Sequence, residues 1–305
     1  MFNFEQTGIV TQEDFEIEDR EPYIDNFIYS GSVTMIHAKP KQGKSLLILS
    51  VCNFLCELKS VNNVFYLDMD NSLEDAKERE LNKLIDRQPK IKLFMNTKLD
   101  STPMEKLREI RKEAKKNAYI GCTFVLDTIK DFIDLKNENQ QREFVDCVKA
   151  MRDAGGTVII LHHSNSTGKL IGGSQLYVSS FDNIYDLKKI GEVEHITNLD
   201  LNLTHGRGTL VKHCQFSVDT RNYNLSAYNP IKSGLNDVDR ELVEKALKAL
   251  RKEEDGLSKS KLVEAMGLSR TDRRGKALAD EMVGYYWRLE QINPKLTKYY
   301  IMEES

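Results

Sequence analysis

The chain has 305 residues, with 44 basic and 47 acidic side chains and a formal net charge of −3, so no global positive field recruits nucleic acid and any such binding must come from local patches. The five cysteines show no CxxC pair and no regular spacing, which reads as reduced, buried thiols of a cytosolic protein. The opening MFNFEQTGIVTQEDFEIEDREP is acidic without the basic-then-apolar order of a signal peptide, and no apolar run approaches membrane-spanning length, so a cytoplasmic protein without a membrane partner is expected. The length suits one large α/β domain with a small appendage.

Residues 32–38, SVTMIHA, are short, apolar and rich in β-formers, and predict a strand. A glycine-containing loop follows, then KSLLILSVCNFLCELKS, whose apolar residues suit a buried helix. Strand, loop and helix form the context of a phosphate loop, because the helix N-terminus points free N–H groups at an anion. In such a loop backbone amides cradle the phosphates, a lysine reaches the β/γ oxygens and a hydroxyl ligates magnesium. The expected nucleotide-binding set is therefore Ala38, Lys39, Pro40, Lys41, Gln42, Gly43, Lys44, Ser45 and Leu46, with Ser45 also a metal ligand. Ala38 stands where the usual pattern opens with glycine; because that glycine mainly eases a turn, alanine is a mild departure.

NVFYLDMD (63–70) predicts the next strand, followed by a charged helix over 72–86 and a short strand IKLFM. PMEKLREIRKEAKKNA reads as a second helix with a solvated face; CTFVLDT as a strand; QQREFVDCVKAMRDAG as a helix closed by Gly155; TVIILHH as a strand. Strands alternating with helices at this spacing argue for a mostly parallel, helix-covered sheet. Asp127 ends an apolar strand about eighty residues after the loop, where a carboxylate would hold magnesium through water. Asp68 and Asp70 share one strand face by the period of two, and the more C-terminal Asp70 reaches further as a base for the attacking water. His163, the second of two histidines ending the fourth strand, is the candidate sensor of the γ-phosphate. SNSTGKLIGGSQLYV, with Lys169, is either a plain connection or a loop that tracks a nucleic-acid backbone.

From 183 onward NIYDLKKI, ITNLDLNLTHGRG and LVKHCQFSVD read as antiparallel additions to the sheet edge. The pattern breaks at NPIKSGLNDVD, giving a first domain over 1–230, a linker over 231–239 and a second domain over 240–305. Helical pieces over 237–253, 258–266 and 270–286, then two strands around Asn293-Pro294, make a winged-helix arrangement with KLVEAMGLSRTDRRGKALADEMV as its helix-turn-helix. Arg270, Arg273, Arg274 and Lys276 cluster where the recognition helix would start and would meet DNA phosphates there; winged helices also serve as protein docking modules.

Together these motifs resemble the RecA-like hexameric helicases, most closely the plasmid RepA-type group of the RecA/DnaB family, over about residues 20–230. EPYIDNFIYSGSVTMIHAKPKQGKS looks like that group's lead-in strand and phosphate loop, whose members also lack the opening glycine. FYLDMDNS corresponds to the strand ending in the catalytic acid, glutamate in the family and Asp70 here, a carboxylate retracted by about 1.5 Å. FVLDTIKDF matches the magnesium-aspartate motif at Asp127, Thr128 and Phe132; ILHHSN matches the sensor strand at His163; GKLIGGSQL resembles the DNA-contacting loop, with Lys169, Gly172, Gly173 and Ser174 in it. LTHGRGTLVKH stands at the late basic motif, where Arg207 would be the arginine finger and Lys212 its reserve.

The resemblance implies a RecA-like P-loop NTPase core, ATP and Mg2+ as cofactors, and a homo-oligomeric ring, a hexamer in the family, whose finger acts on the neighbour's nucleotide. It implies single-stranded DNA in the channel, contact with a primase or other replication proteins, and an ATP-dependent DNA helicase of plasmid or phage replication. Two other readings stay open. One is a DNA-binding ATPase that does not unwind, such as a recombination mediator or helicase loader. The other is a non-catalytic DNA-binding initiator, kept in play by Asp70 in place of glutamate.

Overall fold

The computed structural model describes residues 20–165, 174–206, 213–228, 237–253, 255–284, 286–293 and 296–302. A short antiparallel pair, β1 (Pro22–Ile24) and β2 (Ile28–Tyr29), leads into β3 (Val33–Ala38), all six residues of which are buried. Burial on both faces is what an interior strand of a helix-covered parallel sheet requires. α1 (Lys44–Glu57) follows the loop and buries Leu47, Ile48, Val51, Cys52 and Leu55, packing on β3 and on β4 (Asn63–Asp68).

The single helix expected over 72–86 is two, α2 (Leu73–Glu78) and α3 (Leu81–Arg87), because Glu80 takes a left-handed backbone (φ 55°) between them. β5 (Ile91–Met95) precedes α4 (Pro103–Glu113), which begins with a Thr102–Glu105 capping box and ends short of the expected 118, as Ala114 leaves the helical backbone (ψ 76°) before β6 (Cys122–Asp127). α5 (Ile129–Phe132) is a single turn directly after β6; α6 (Glu138–Asp153), capped by Asn137, leads to β7 (Thr157–His163). Then come α7 (Ser174–Ser180), β8 (Asn183–Val193), β9 (Ile196–Gly206), β10 (His213–Asp219) and β11 (Asn224–Ala227).

The large sheet runs β11-β10-β9-β8-β3-β7-β6-β4-β5. Pairs β4–β5, β4–β6, β6–β7, β3–β7 and β3–β8 are parallel. This corrects one expectation: β8, read as an antiparallel addition, lies parallel to β3. A parallel neighbour needs a crossover, usually helical, and α7 supplies one inside a segment that looks like a glycine- and serine-rich loop. β10 and β11 are antiparallel, as expected of the edge. One core cluster joins Val33 and Met35 of β3, Leu126 of β6, Ile160 of β7 and Phe144, Val148 and Met151 of α6.

The chain divides into two compact units, 1–188 with 201–214, and 189–200 with 215–305. Residues 231–236 of the expected linker lie outside the described residues. In the second unit Gln215 donates to Asp200 at 2.9 Å and Ser217 to Asn198 at 2.9 Å, side-chain bonds that tie the strand segments 196–200 and 215–219 to each other.

The second unit also holds α8 (Asp237–Leu250), β12 (Leu257–Ser258), α9 (Lys259–Ala265), α10 (Arg273–Glu281), β13 (Trp287–Asn293) and β14 (Leu296–Ile301), the strands forming an antiparallel sheet in the order β12-β14-β13. Its core gathers Val243, Ala246, Leu262, Met266, Trp287 and Tyr299, with the Trp287 indole donating to the Ala279 carbonyl at 2.9 Å. α10 is shorter than the expected 270–286, starting behind an Asp272 cap. Gly275 lies against α9 so closely that a Cβ there would sit 2.8 Å from Val263 Cγ1, which accounts for a glycine inside a helix.

Candidate functional site

The phosphate-loop residues sit where β3 ends in the middle of the sheet. Ala38 is buried and extended, paired with His163 of β7, and its carbonyl accepts from Ser164 N–H at 2.9 Å. The left-handed backbone falls instead on Lys41 (φ 64°) and Gly43 (φ 83°). Glycine's freedom is thus used at Gly43 and is not needed at Ala38, so the unusual opening residue costs the loop nothing. Gly43 caps α1 with no side chain bonded to the helix end, the first turn holds no acidic residue, and the first helical bond runs from Leu47 N–H to Gly43 O at 2.9 Å. The amides of Lys44, Ser45 and Leu46 therefore precede any helical acceptor, and the positive helix end has no internal counter-charge. That is a site for a phosphate.

Lys44 is only 8 % exposed. Burial pushes its ammonium pKa down, while Asp127 and Asp70 oppose the shift. Its Nζ lies 3.4 Å from His163 Nδ1. Burial and then the charges of Lys44 and Lys130 push the His163 imidazole below its ordinary value, so at neutral pH the ring is neutral. With Nδ1 accepting from the ammonium, the ring proton is assigned to Nε2, which lies 4.0 Å from Asp70 Oδ2.

Asp127 and Asp68 face each other in register at the ends of β6 and β4, each 1 % exposed. Tyr66 Oη–H donates to Asp127 Oδ2 at 2.7 Å, while Asp68 accepts from Asn71 Nδ2–H at 2.8 and 3.0 Å and from its backbone N–H at 3.2 Å. Burial, then the charge of Asp68, pushes the Asp127 carboxyl up to about 7 against the pull of Tyr66 and Lys44. Burial raises Asp68 as well, opposed by Asn71. Two buried carboxylates side by side gain from a nearby cation.

The hard oxygens of Ser45 and Asp127 suit magnesium in kind. Among the described residues no group of three or more His, Cys, Asp or Glu side chains could cage a metal. Mg2+ fits such an open set because it keeps water and takes phosphate oxygens in place of protein ligands.

The two acids expected to share one strand face separate, because β4 ends at Asp68 and Asp70 falls in the turn beyond it. Asp68 is held by Asn71, whereas the Asp70 carboxylate, at the surface of the site, accepts from Lys130 Nζ at 2.6 Å and faces His163. The structure thus brings Lys44, Asp70, Asp127 and His163 together. Lys169, Gly172, Gly173, Arg207 and Lys212 lie outside the described residues, and Ser174 is the first residue of α7. In the second unit, Arg270 precedes α10 and donates to Glu264 at 2.6 Å, Arg274 donates to Asp239 at 2.6 Å, and Arg273 and Lys276 are exposed on α10.

Three residues at the first site escaped the sequence reading: Tyr66, Asn71 and Lys130. Tyr66 had a readable signal. Its position two before Asp68 puts it on the same strand face and, once β4 pairs with β6, diagonal to Asp127. Lys130 and Asn71 act through turns whose geometry no periodicity conveys.

A family model described as an AAA domain matches residues 3–169, a span containing the loop, Asp70, Asp127, Lys130 and His163. No curated protein matches the chain. Among the described residues no helix is long and apolar enough to cross a membrane.

Proposed function

This chain belongs to the AAA domain family of P-loop ATPases, and from that premise we propose that its nucleotide hydrolysis drives movement along single-stranded DNA, as a ring-forming helicase of plasmid or phage replication. The observation that carries the chemistry is the convergence of Lys44, Asp70, Asp127 and His163 at the C-terminal ends of adjacent parallel strands, the edge where open α/β sheets bind ligands. In the reaction a water oxygen bonds to the γ-phosphorus, the bond from that phosphorus to the β,γ-bridging oxygen breaks, and the water's proton passes to Asp70. Lys44 and the first-turn amides of α1 neutralise the phosphate oxygens. Ser45 and Asp127 are the residues that would hold Mg2+, which when bound would supply positive charge to the phosphates. His163, between Lys44 and Asp70, passes the state of the γ-phosphate to the chain that follows β7.

The DNA part of the proposal rests on the sequence resemblance. It assigns the backbone of the strand to Lys169, Gly172, Gly173 and Ser174, and the arginine finger to Arg207, acting on a neighbour's nucleotide in a ring of identical subunits. We read the second unit's α8, α9, α10 and three-stranded sheet as a winged helix, with Arg270, Arg273 and Arg274 facing DNA or a replication protein. The order helix, short strand, two helices, then a hairpin supports that reading.

A forked duplex with a labelled strand tests the proposal. ATP-dependent strand release by the wild-type protein is expected. Hydrolysis stimulated by single-stranded DNA without strand release would instead point to a mediator or loader, and binding of DNA without any hydrolysis to an initiator.

A further inference from the structure

Lys130 is a charged residue of the first site to which the mechanism above gives no task. It lies three positions after Asp127, on the single turn α5, which is braced by a Thr128–Asp131 capping box with Thr128 Oγ1–H donating to Asp131 Oδ2 at 2.8 Å. Its backbone is therefore held directly after the end of β6. Lys130 Nζ donates to Asp70 Oδ1 at 2.6 Å and stands 3.6 Å from Asp131 Oδ1, and the side chain is 41 % exposed. Burial works against its charge, but the bond to Asp70 and the charges of Asp131 and Asp70 outweigh that and hold the ammonium above its ordinary pKa. Its charge is felt at both Lys44 and His163, so the cations of the site converge on one region.

This arrangement sets a conflict. An ammonium hydrogen-bonded to a carboxylate stabilises its negative charge, and that stabilisation is lost when the carboxylate takes a proton from water. The other oxygen of Asp70 faces His163. A terminal phosphate carries more negative charge than a carboxylate and offers several oxygens, so near Lys130 it competes for the same ammonium.

Resting on the ATPase reading of this site, we propose that Lys130 is a phosphate-directed cation supplied in cis, exchanged between Asp70 and the terminal phosphate of a nucleoside triphosphate, so that the exchange both clamps the phosphate and frees Asp70 as a base. A diphosphate lacks the group that draws Lys130 away and leaves the Asp70 pair intact. Lys130 would thereby make the site sense the number of phosphates without a neighbouring subunit.

The test uses the full chain, a fluorescent-nucleotide displacement assay with ADP and a non-hydrolysable triphosphate, and steady-state phosphate release. Lys130→Gln is expected to weaken triphosphate binding about tenfold, the loss of one charge-assisted contact, to leave ADP binding unchanged, and to lower kcat; Lys130→Arg is expected to restore the preference for triphosphate. In the wild-type protein, amine-directed labelling of Lys130 is expected to be altered by the triphosphate and not by ADP, a readout that stands even if a variant fails to fold. Equal loss of ADP and triphosphate affinity in Lys130→Gln, or labelling of Lys130 that responds identically to both nucleotides, would overturn the proposal. Failure of the ATPase reading itself looks different: Lys44→Ala would then leave both affinities untouched.

Discussion

The strand-end cluster of the first unit and the helical module of the second handle charge in opposite ways. In the first, Lys44, Asp68 and Asp127 are buried, and Asp127 is pressed against a second acid with its carboxyl pushed up to about 7. In the second, the arginines of the Arg270–Glu264 and Arg274–Asp239 pairs are at the surface, and Lys259 pairs with Asp280 there too, while the core keeps to Leu262, Met266, Trp287 and Tyr299. Burying like charges together costs stability and persists where a ligand gains from it. Exposed pairs cost and contribute little. What separates the two regions is thus where charge is held out of water, and the number of charged residues says little about it.

The comparison breaks most visibly at Asp70. Asp70→Asn is expected to lower kcat about 10²–10⁴-fold, the range of a lost general base, with nucleotide affinity retained in a displacement assay. Full-rate hydrolysis by that variant would move the base to another residue, Asp68 first.

Next in size is the core of the helical module. Leu262 is fully buried there, so Leu262→Ala is expected to cost about 2–5 kcal/mol. Trp287, the single tryptophan of the chain, reports it as a lower denaturant midpoint in fluorescence.

Asp127→Asn sharpens the contrast with an effect of opposite sign. The folded carboxyl, near 7, lies above its unfolded value of 3.8, so between those pH values the folded state binds more protons than the unfolded one. Its contribution to stability therefore falls as pH rises through that window. The asparagine variant is expected to lose that slope and to be more stable by about 1–3 kcal/mol at pH 8 in chemical denaturation without nucleotide, while losing hydrolysis. A variant less stable at pH 8 would mean that the buried acid is already compensated. The smallest effect belongs to the surface: Arg270→Ala is expected to leave the melting temperature unresolved from wild type, even if DNA binding drops.

Much of this was legible in the residues. The parallel sheet followed from strand and helix alternation, and Gly43-Lys44-Ser45 between strand and helix located the loop. Where the reading fell short, the cause was local backbone. Glu80, in a left-handed conformation, splits a helix that charge pattern shows as one, and α7 hides within small and polar residues, so from residues alone β8 reads as antiparallel although it runs parallel to β3. At the site, Asp70 was distinguishable from Asp68 only by reach, whereas the folded chain separates them by ending β4 between the two. The Lys130 contact depends on how the turn after Asp127 meets the turn after Asp68, and no spacing rule carries that.

Hydrolysis depends on the phosphate loop, and steady-state phosphate release from Mg-ATP, with and without single-stranded DNA, by the wild-type chain and Lys44→Ala measures that dependence. Turnover by wild type, raised by the DNA and reduced about 10²–10³-fold or more in the variant, is the predicted result. Equal rates for the two proteins, or no turnover by wild type under either condition, would contradict it.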